Sequence, residues 1–323
     1  MKTLIAPLNW GLGHASRCVP LINQYLKNGN EVVIASDGAA LTFLRKRYPD
    51  LRYVELPALN LHYSNGNSQI STLLKQLPHC LKWAVSDHKA LDRLLNLEKF
   101  DLVISDNRFF FYNKRVKSVY LTHQLNLILP KHWKWLTPVA NLINRKIINR
   151  YTECWIPDNQ PDDGSLAGQL SKPVKLKIPI VYKGILSRFE GITVLPQTGK
   201  YDVVAILSGL EPQRTLFEKK IIKSYLGNNE QVLLVEGKLT EALCEMQINN
   251  ITILPYLDDN RLAFYLTQAK KIIARSGYST IMDFATLGIL KKTDFIPTPG
   301  QTEQEYLAQR ISYLRIKNSK DCK

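Results

Sequence analysis

Two clusters of polar residues in this chain have the types and spacing for chemistry on a phosphorylated ligand. The first is Arg275-Ser276-Gly277-Tyr278-Ser279-Thr280, followed by Asp283 about one helical turn later. Ile272, Ile273 and Ala274 predict a short strand before it, and Ser276-Gly277 predicts a tight turn into a helix that starts near Tyr278 to Thr280. A helix N-terminus presents unpaired N–H groups and roughly half a positive charge, which suits a phosphate or diphosphate. Asp283 would then sit where a carboxylate can accept from ribose hydroxyls. Pro297 to Gly300 stops the chain again and presents Gln301, Glu303, Gln304 and Glu305, a polar set that suits a sugar.

The second cluster opens the chain. Thr3 to Leu8 predicts a buried strand, Gly11 and Gly13 a sharp loop, and Cys18, Leu21, Ile22, Tyr25 and Leu26 the apolar face of a helix. A dinucleotide site is one reading, since Val32 to Ala35 is a second strand with Asp37 just beyond it. Against it, Ser16 stands at the third glycine position, and His14 occupies a loop tip where such a site needs only backbone. His14 is the candidate general base, with helix capping as the plain alternative. Phe100 to Asp106 predicts a strand with Asp106 at its carboxyl end, where ligands of open α/β sheets bind. Ser118 to Thr122 predicts another, ending in His123-Gln124, for which capping is again the plain reading. All six histidines precede residue 184, so a histidine base has to come from the first half.

These clusters need a scaffold of alternating strands and helices. A chain of 323 residues, 45% hydrophobic and 22% charged, fits two α/β domains, and we expect them at 1–185 and 186–323. Leu73 to Leu97 reads as helix, Cys154 to Asp158 as the last strand of the first half, and Gly184 to Lys200 as the linker. Tyr201 to Leu207 opens a second sheet and ends in Ser208-Gly209; Gln231 to Glu236 and Ile251 to Leu254 continue it. Asp162-Asp163, flanked by Pro161 and Gly164, reads as a turn rather than a metal site. Cys18, Cys80, Cys154, Cys244 and Cys322 are scattered and odd in number, which predicts reduced thiols without a disulfide framework or zinc site. The amino terminus has too short an apolar stretch for a signal peptide, and no run is long enough to span a bilayer, so a cytoplasmic protein is expected.

The net charge of +15 asks for an anionic partner. Residues 107–152 contain no Asp or Glu, while Arg108, Lys114, Arg115, Lys117, Lys131, Lys134, Arg145, Lys146 and Arg150 alternate with Phe109, Phe110, Phe111, Tyr112, Trp133 and Trp135. Basic and aromatic groups together suit an anionic membrane surface. Nucleic acid attracts the same charges, but no nucleic-acid-binding motif accompanies them. A solvated face is the plain reading of the run.

The order of parts resembles GT-B glycosyltransferases, most closely the MurG-like peptidoglycan N-acetylglucosaminyltransferases. Their Arg-Ser-Gly-x-x-Thr-x-x-Glu motif is matched by Arg275, Ser276, Gly277, Thr280 and, with Asp for Glu, Asp283. Gln304 and Glu305 stand where the family has a Gln pair for the donor sugar, Ser208-Gly209 where it has a glycine-rich phosphate loop, and Tyr256-Leu257-Asp258-Asp259 where it reads uracil. His14 ends a loop that is richer in glycine in the family, Asn9 and Trp10 being departures. His123-Gln124 resembles a shortened acceptor-side segment. The resemblance implies two Rossmann-like domains facing a cleft. It implies transfer of a sugar from a nucleotide-diphosphate donor, UDP above all, to a hydroxyl acceptor, lipid-linked or of the cell envelope. It implies inversion, no metal, no cofactor beyond the nucleotide sugar, and a peripheral place on the inner face of the plasma membrane. Asp106 could orient His14. Two other classes stay open: a nucleotide-sugar 2-epimerase of the same plan, and a non-catalytic binder of nucleotide sugar or nucleic acid.

Overall fold

A computed structural model describes residues 1–59, 75–239 and 244–320; Leu73, His62 and Cys322 of the reading above lie outside them. The chain forms two compact units, the first ending at Leu186 and the second starting at Ser187.

In the first unit, seven strands lie in the order β3-β2-β1-β4-β5-β6-β7. They are β1 (Lys2–Pro7), β2 (Glu31–Ser36), β3 (Arg52–Glu55), β4 (Leu102–Asp106), β5 (Lys117–Leu121), β6 (Glu153–Ile156) and β7 (Ile180–Tyr182). All neighbours pair in parallel. Parallel sheets are covered on both faces, so their central strands are continuous apolar runs. Leu4, Ile5, Ala6, Val103 and Ile104 are accordingly buried. The helices are α1 (Gly13–Lys27), α2 (Gly38–Arg47), α3 (Leu77–Leu97) and α4 (Thr137–Ile148). Leu91 and Leu94 of α3 pack on Leu4, Val33 and Val103. β6 is not the last strand: β7 adds a half-buried edge beside it, too short to show as an apolar run.

In the second unit the order is β10-β11-β9-β8-β12-β13. The strands are β8 (Val203–Ile206), β9 (Val232–Val235), β10 (Met246–Ile248), β11 (Ile251–Leu254), β12 (Lys271–Ala274) and β13 (Thr293–Phe295). Only β10 is antiparallel, turning into β11 at Asn249, which takes a left-handed φ of 52° that Asn tolerates. The helices are α5 (Gln213–Tyr225), α6 (Asp259–Gln268), α7 (Tyr278–Thr286) and α8 (Thr302–Lys320). One core layer, with Val204, Leu233, Leu266 and Phe284, lies on one face of this sheet, and another, with Ala205, Phe217, Ile221 and Leu234, on the other.

Two stretches read as surface carry buried side chains. The linker read over 184–200 is not free along its length, because Phe189 is buried in the second unit's core. The basic segment does not all face solvent either: Arg108 and Phe111 are fully buried. Among the described residues, no helix is long and apolar enough to cross a membrane.

Candidate functional site

In each sheet the chain reverses its direction of travel at one place. β2 lies on one side of β1 and β4 on the other; likewise β9 and β12 flank β8. Loops leaving such strands at the carboxyl edge diverge and open a crevice, the usual ligand site of open α/β sheets. Both polar clusters of the sequence leave these edges.

After β1, Gly11 takes φ of 77°, which a side chain would strain, and Gly13 begins α1, so His14 stands in the helix's first turn. Pro7 of β1 pairs with Asp106 of β4, which brings the end of β4 beside the start of α1. His14 Nδ1 lies 3.0 Å from Asp106 Oδ1. Arg17 is three residues further along α1, on the same helix face. Its Nε donates to Asp106 Oδ2 at 2.8 Å, its Nη2 to Oδ1, and its Nη1 faces His123 Nδ1 at 3.2 Å. Cys18 Sγ donates to Oδ2 at 3.6 Å. His123, just beyond β5, is buried, and the Gln124 N–H beside it donates to Thr122 Oγ1. The structure thus brings together His14, Asp106 and His123, and adds Arg17, to which the sequence reading gives no role.

Burial alone would raise the Asp106 carboxyl; the Arg17 and His14 charges outweigh it and hold it well below the usual carboxylate range. For His14 the leading effect is also burial, which lowers its pKa below 6.5; Asp106 opposes this and Arg17 adds to it. His14 is therefore neutral near pH 7, with 14% of its side chain exposed. Its Nδ1 also lies 2.9 Å from Arg17 Nη2, and one nitrogen cannot both donate to Asp106 and accept from Arg17. A carboxylate is the stronger acceptor, so the proton sits on Nδ1 and Nε2 keeps a lone pair.

Asp37, the candidate ribose carboxylate of a dinucleotide site, is buried elsewhere. It pairs with Arg108 and accepts from Asn9 Nδ2 at 3.1 Å, and Arg108 also binds Asp87 of α3 at 2.6 Å. That removes the dinucleotide reading of the first loop.

In the second unit, Ile206 of β8 pairs with Ala274 of β12, so Ser208-Gly209 and the Arg275–Thr280 turn leave the same edge. Gly209 has φ of 96°, a conformation for glycine. Gly277 is the N-cap of α7 and offers no side-chain cap; Ser279 and Thr280 in the first turn are half-buried. Ser276 Oγ donates to the Gln304 carbonyl at 2.7 Å, Gln304 Oε1 accepts from the Thr298 N–H at 2.8 Å, and Gln304 Nε2 donates to Gln301. The turn before α7 and the loop before α8 are therefore tied together, with Glu305 half-buried in the first turn of α8. Tyr256 is half-buried after β11; the Leu257 side chain lies in the core, leaving its backbone for any ligand contact.

Two motif residues turn inward. Arg275 donates to the carbonyls of Pro297, Gln213 and Ile296 at 2.8, 3.2 and 3.3 Å, and its guanidinium stacks 4.0 Å from the Phe217 ring. It braces the loops in this structure, where its partners are carbonyls and an aromatic ring rather than open space for a phosphate. Asp283 accepts from Ser187 Oγ at 2.7 Å and pairs with Arg188 Nε at 3.2 Å, while Arg188 Nη1 reaches Asp259 at 3.4 Å. The expected ribose contact of Asp283 is thus replaced by an internal one.

No protein-family profile matches the chain. A protein of Methanosarcina acetivorans named an uncharacterized glycosyltransferase is 25% identical over 322 residues, covering 94% of this chain and 82% of its own length. One of Methanosarcina mazei with the same name is 24% identical over 325 residues, with the same coverage. Among solved structures, the calicheamicin glycosyltransferase CalG4 superposes with a TM-score of 0.61 at 13% identity, covering 97% of this chain and 83% of that one. The chain thus has the GT-B fold, and its curated relatives are named glycosyltransferases. The spinosyn rhamnosyltransferase SpnG shares the fold at a TM-score of 0.59 and 15% identity, covering 97% and 84%. A Listeria monocytogenes protein described as a putative UDP-N-acetylglucosamine 2-epimerase also shares it, at 0.55 and 10% identity, covering 97% and 88%. Structural likeness at these identities shows the architecture, and the names of the curated relatives point to sugar transfer.

Proposed function

We propose that this protein is a glycosyltransferase that moves a sugar from a uridine diphosphate sugar to a hydroxyl acceptor by a single in-line displacement. The observation that carries the reading is the His14–Asp106 contact at 3.0 Å, on the carboxyl edge where the first sheet reverses. The acceptor oxygen attacks the anomeric carbon and its proton passes to His14 Nε2. The bond from that carbon to the diphosphate oxygen breaks, the electron pair leaves with the diphosphate, and the anomeric configuration inverts. Asp106 holds the imidazole and stabilises the imidazolium that forms. The α7 N-terminus at Gly277 to Thr280, with Ser276 and the Ser208-Gly209 loop, meets the leaving diphosphate without calling on a metal. Gln301, Gln304 and Glu305 read the sugar, and the backbone at Tyr256 and Leu257 reads the uracil. Gly11, Gly13, His123 and Gln124 line the acceptor side.

The acceptor reading, a hydroxyl on a lipid carrier at the inner membrane face, rests on the turn at Lys131–Leu136 and on α4. Trp135, Val139, Leu142 and Ile143 are 73%, 53%, 54% and 54% exposed, at helical spacing, beside exposed Lys131, Lys134 and Lys146. An apolar stripe rimmed by lysines, with no acid from 107 to 152, complements an anionic bilayer.

The test begins with a panel of nucleotide sugars in thermal shift, since a bound donor raises the melting temperature by mass action. Turnover of His14→Ala on the donor so found should fall about a hundredfold or more, the usual contribution of a general base. Donor affinity should stay within a few-fold. A variant within threefold of the parent in turnover would end the role of His14 as base. Formation of an epimer from the donor with no acceptor present would favour the isomerase instead.

A further inference from the structure

Arg17 is 1% exposed, and its planar guanidinium is the hub on which the buried groups of the first site converge. An arginine can neither accept a hydrogen bond nor release a proton near neutral pH, so a ring nitrogen that takes a hydrogen bond from it has to be the unprotonated one. Nη1 lies 3.2 Å from His123 Nδ1. That nitrogen must therefore accept, which makes His123 a neutral imidazole with its proton on Nε2. Nε and Nη2 take both oxygens of Asp106 and keep it ionised. His14 Nδ1 lies 3.0 Å from the ionised Asp106 Oδ1 and 2.9 Å from Arg17 Nη2; Nη2 already donates to Oδ1 and the carboxylate is the stronger acceptor, which puts the His14 proton on Nδ1. The groups that face His14 are Asp106 from the end of β4, Arg17 from its own helix and His123 from beyond β5.

We propose that Arg17 is the positioning residue of this site, fixing opposite tautomers on two histidines: Nδ1–H on His14, which frees Nε2 as a lone pair, and Nε2–H on His123, which makes that nitrogen a donor. One fork of N–H groups thereby prepares a proton acceptor and a hydrogen-bond donor at the same sheet edge. Without the fork, either histidine could carry its proton on the wrong nitrogen, and His14 with its proton on Nε2 is no base. The cation has a second effect. It cancels most of the Asp106 charge that would otherwise hold a proton on His14, so the base stays unprotonated to lower pH. The tautomers follow from the contacts and from the carboxylate being the stronger acceptor; their use in catalysis rests on the proposed role of His14.

Nitrogen-15 NMR of the histidine rings in the free, full-length protein reads the tautomers directly, apart from any activity. The parent should show His14 protonated on Nδ1 and His123 on Nε2. In Arg17→Met the His123 tautomer should become mixed, and the titration midpoint of His14 should rise by roughly one unit or more, because Asp106 then acts on it uncompensated. The acid limb of the kcat/KM profile should move up by the same amount. Arg17→Lys keeps the charge but lacks the planar fork; it should hold the His14 midpoint near the parent's and still release the His123 tautomer. Should Arg17→Met fail to fold, the parent spectrum and Arg17→Lys still decide. His123 protonated on Nδ1 in the parent, or both tautomers and the His14 midpoint unchanged in the variants, would overturn the proposal. The stated tautomers together with full turnover in His14→Ala would remove His14 as the base and leave the positioning by Arg17 standing.

Discussion

Replacing Asp283 by Ala separates a ligand contact from a structural one. If the carboxylate met ribose hydroxyls, the variant would lose about 1 to 3 kcal/mol of UDP affinity and little stability. The geometry gives the opposite result. Asp283 is 5% exposed, and its oxygens hold Ser187 and Arg188. Removing one partner of a buried ion pair costs about 3 to 5 kcal/mol, because the other charge stays behind. Arg188 keeps Asp259 at 3.4 Å and a side chain 13% exposed, which puts this case at the low end, about 3 kcal/mol. The Ser187 hydroxyl loses its acceptor as well, for about 1 kcal/mol more. With a urea slope of about 2 kcal/mol per M, the unfolding midpoint should fall by about 1.5 to 2 M. UDP affinity, titrated calorimetrically where the variant is still folded, should change less than threefold. Combining Asp283→Ala with Arg188→Met removes the stranded cation and should recover part of the loss. A single variant as stable as its parent, with UDP affinity down tenfold or more, would refute this and return Asp283 to the nucleotide.

Further outcomes follow from two other groups. Burial pushes the Asp87 carboxyl up to about 6 against the pull of Arg108, so the folded state prefers the protonated acid. That contribution to stability is complete below about pH 4, the range of an unfolded Asp, and is lost as pH rises through about 6. Urea unfolding of parent and Asp87→Asn over pH 4 to 7 should show the parent's advantage shrinking by up to about 3 kcal/mol; a flat difference would contradict the raised carboxyl. For the membrane surface, changing Lys131, Lys134 and Lys146 to Gln should weaken binding to phosphatidylglycerol vesicles by roughly 3 kcal/mol, and added salt should do likewise. Leu142→Asp with Ile143→Asp should release the protein while leaving its fold intact, since both side chains are exposed. Sedimentation with vesicles checks both, and binding indifferent to all of these changes would sink the bilayer as partner.

The two central sheets were legible because their inner strands are buried on both faces and must be apolar throughout. Leu4 to Ala6 and Ile272 to Ala274 stand out between polar neighbours for that reason. The edge strands were not. β3 reads Arg-Tyr-Val-Glu, and β10 presents Met246 at 54% exposed, so neither carries the apolar run or strict alternation that marks a strand. Gly11 and Gly209 were legible as turns, because backbone at positive φ leaves a mark on residue choice that no partner is needed to read.

Charged residues behave otherwise, and the limits of the sequence lie there. A charge is buried only when its partner is, and the partner comes from another part of the chain. Arg17, a turn into α1, looks like a solvated residue until β4 is known to lie beside β1 and to end at Asp106. Arg108 belongs by sequence to a basic run and by structure to a pocket made by Asp37 and Asp87. The same limit applies to Arg275 and Asp283. Their residue types meet the needs of a phosphate and a ribose, but three carbonyls and an arginine meet the needs of those side chains equally well. Asp106 could be placed from sequence because it ends a central strand, and His14 because it opens the helix after the first strand, so topology brings both to one sheet edge. In this fold a polar residue near the end of a central strand can therefore be placed from sequence, whereas the partners of one a turn into the following helix emerge only with the structure.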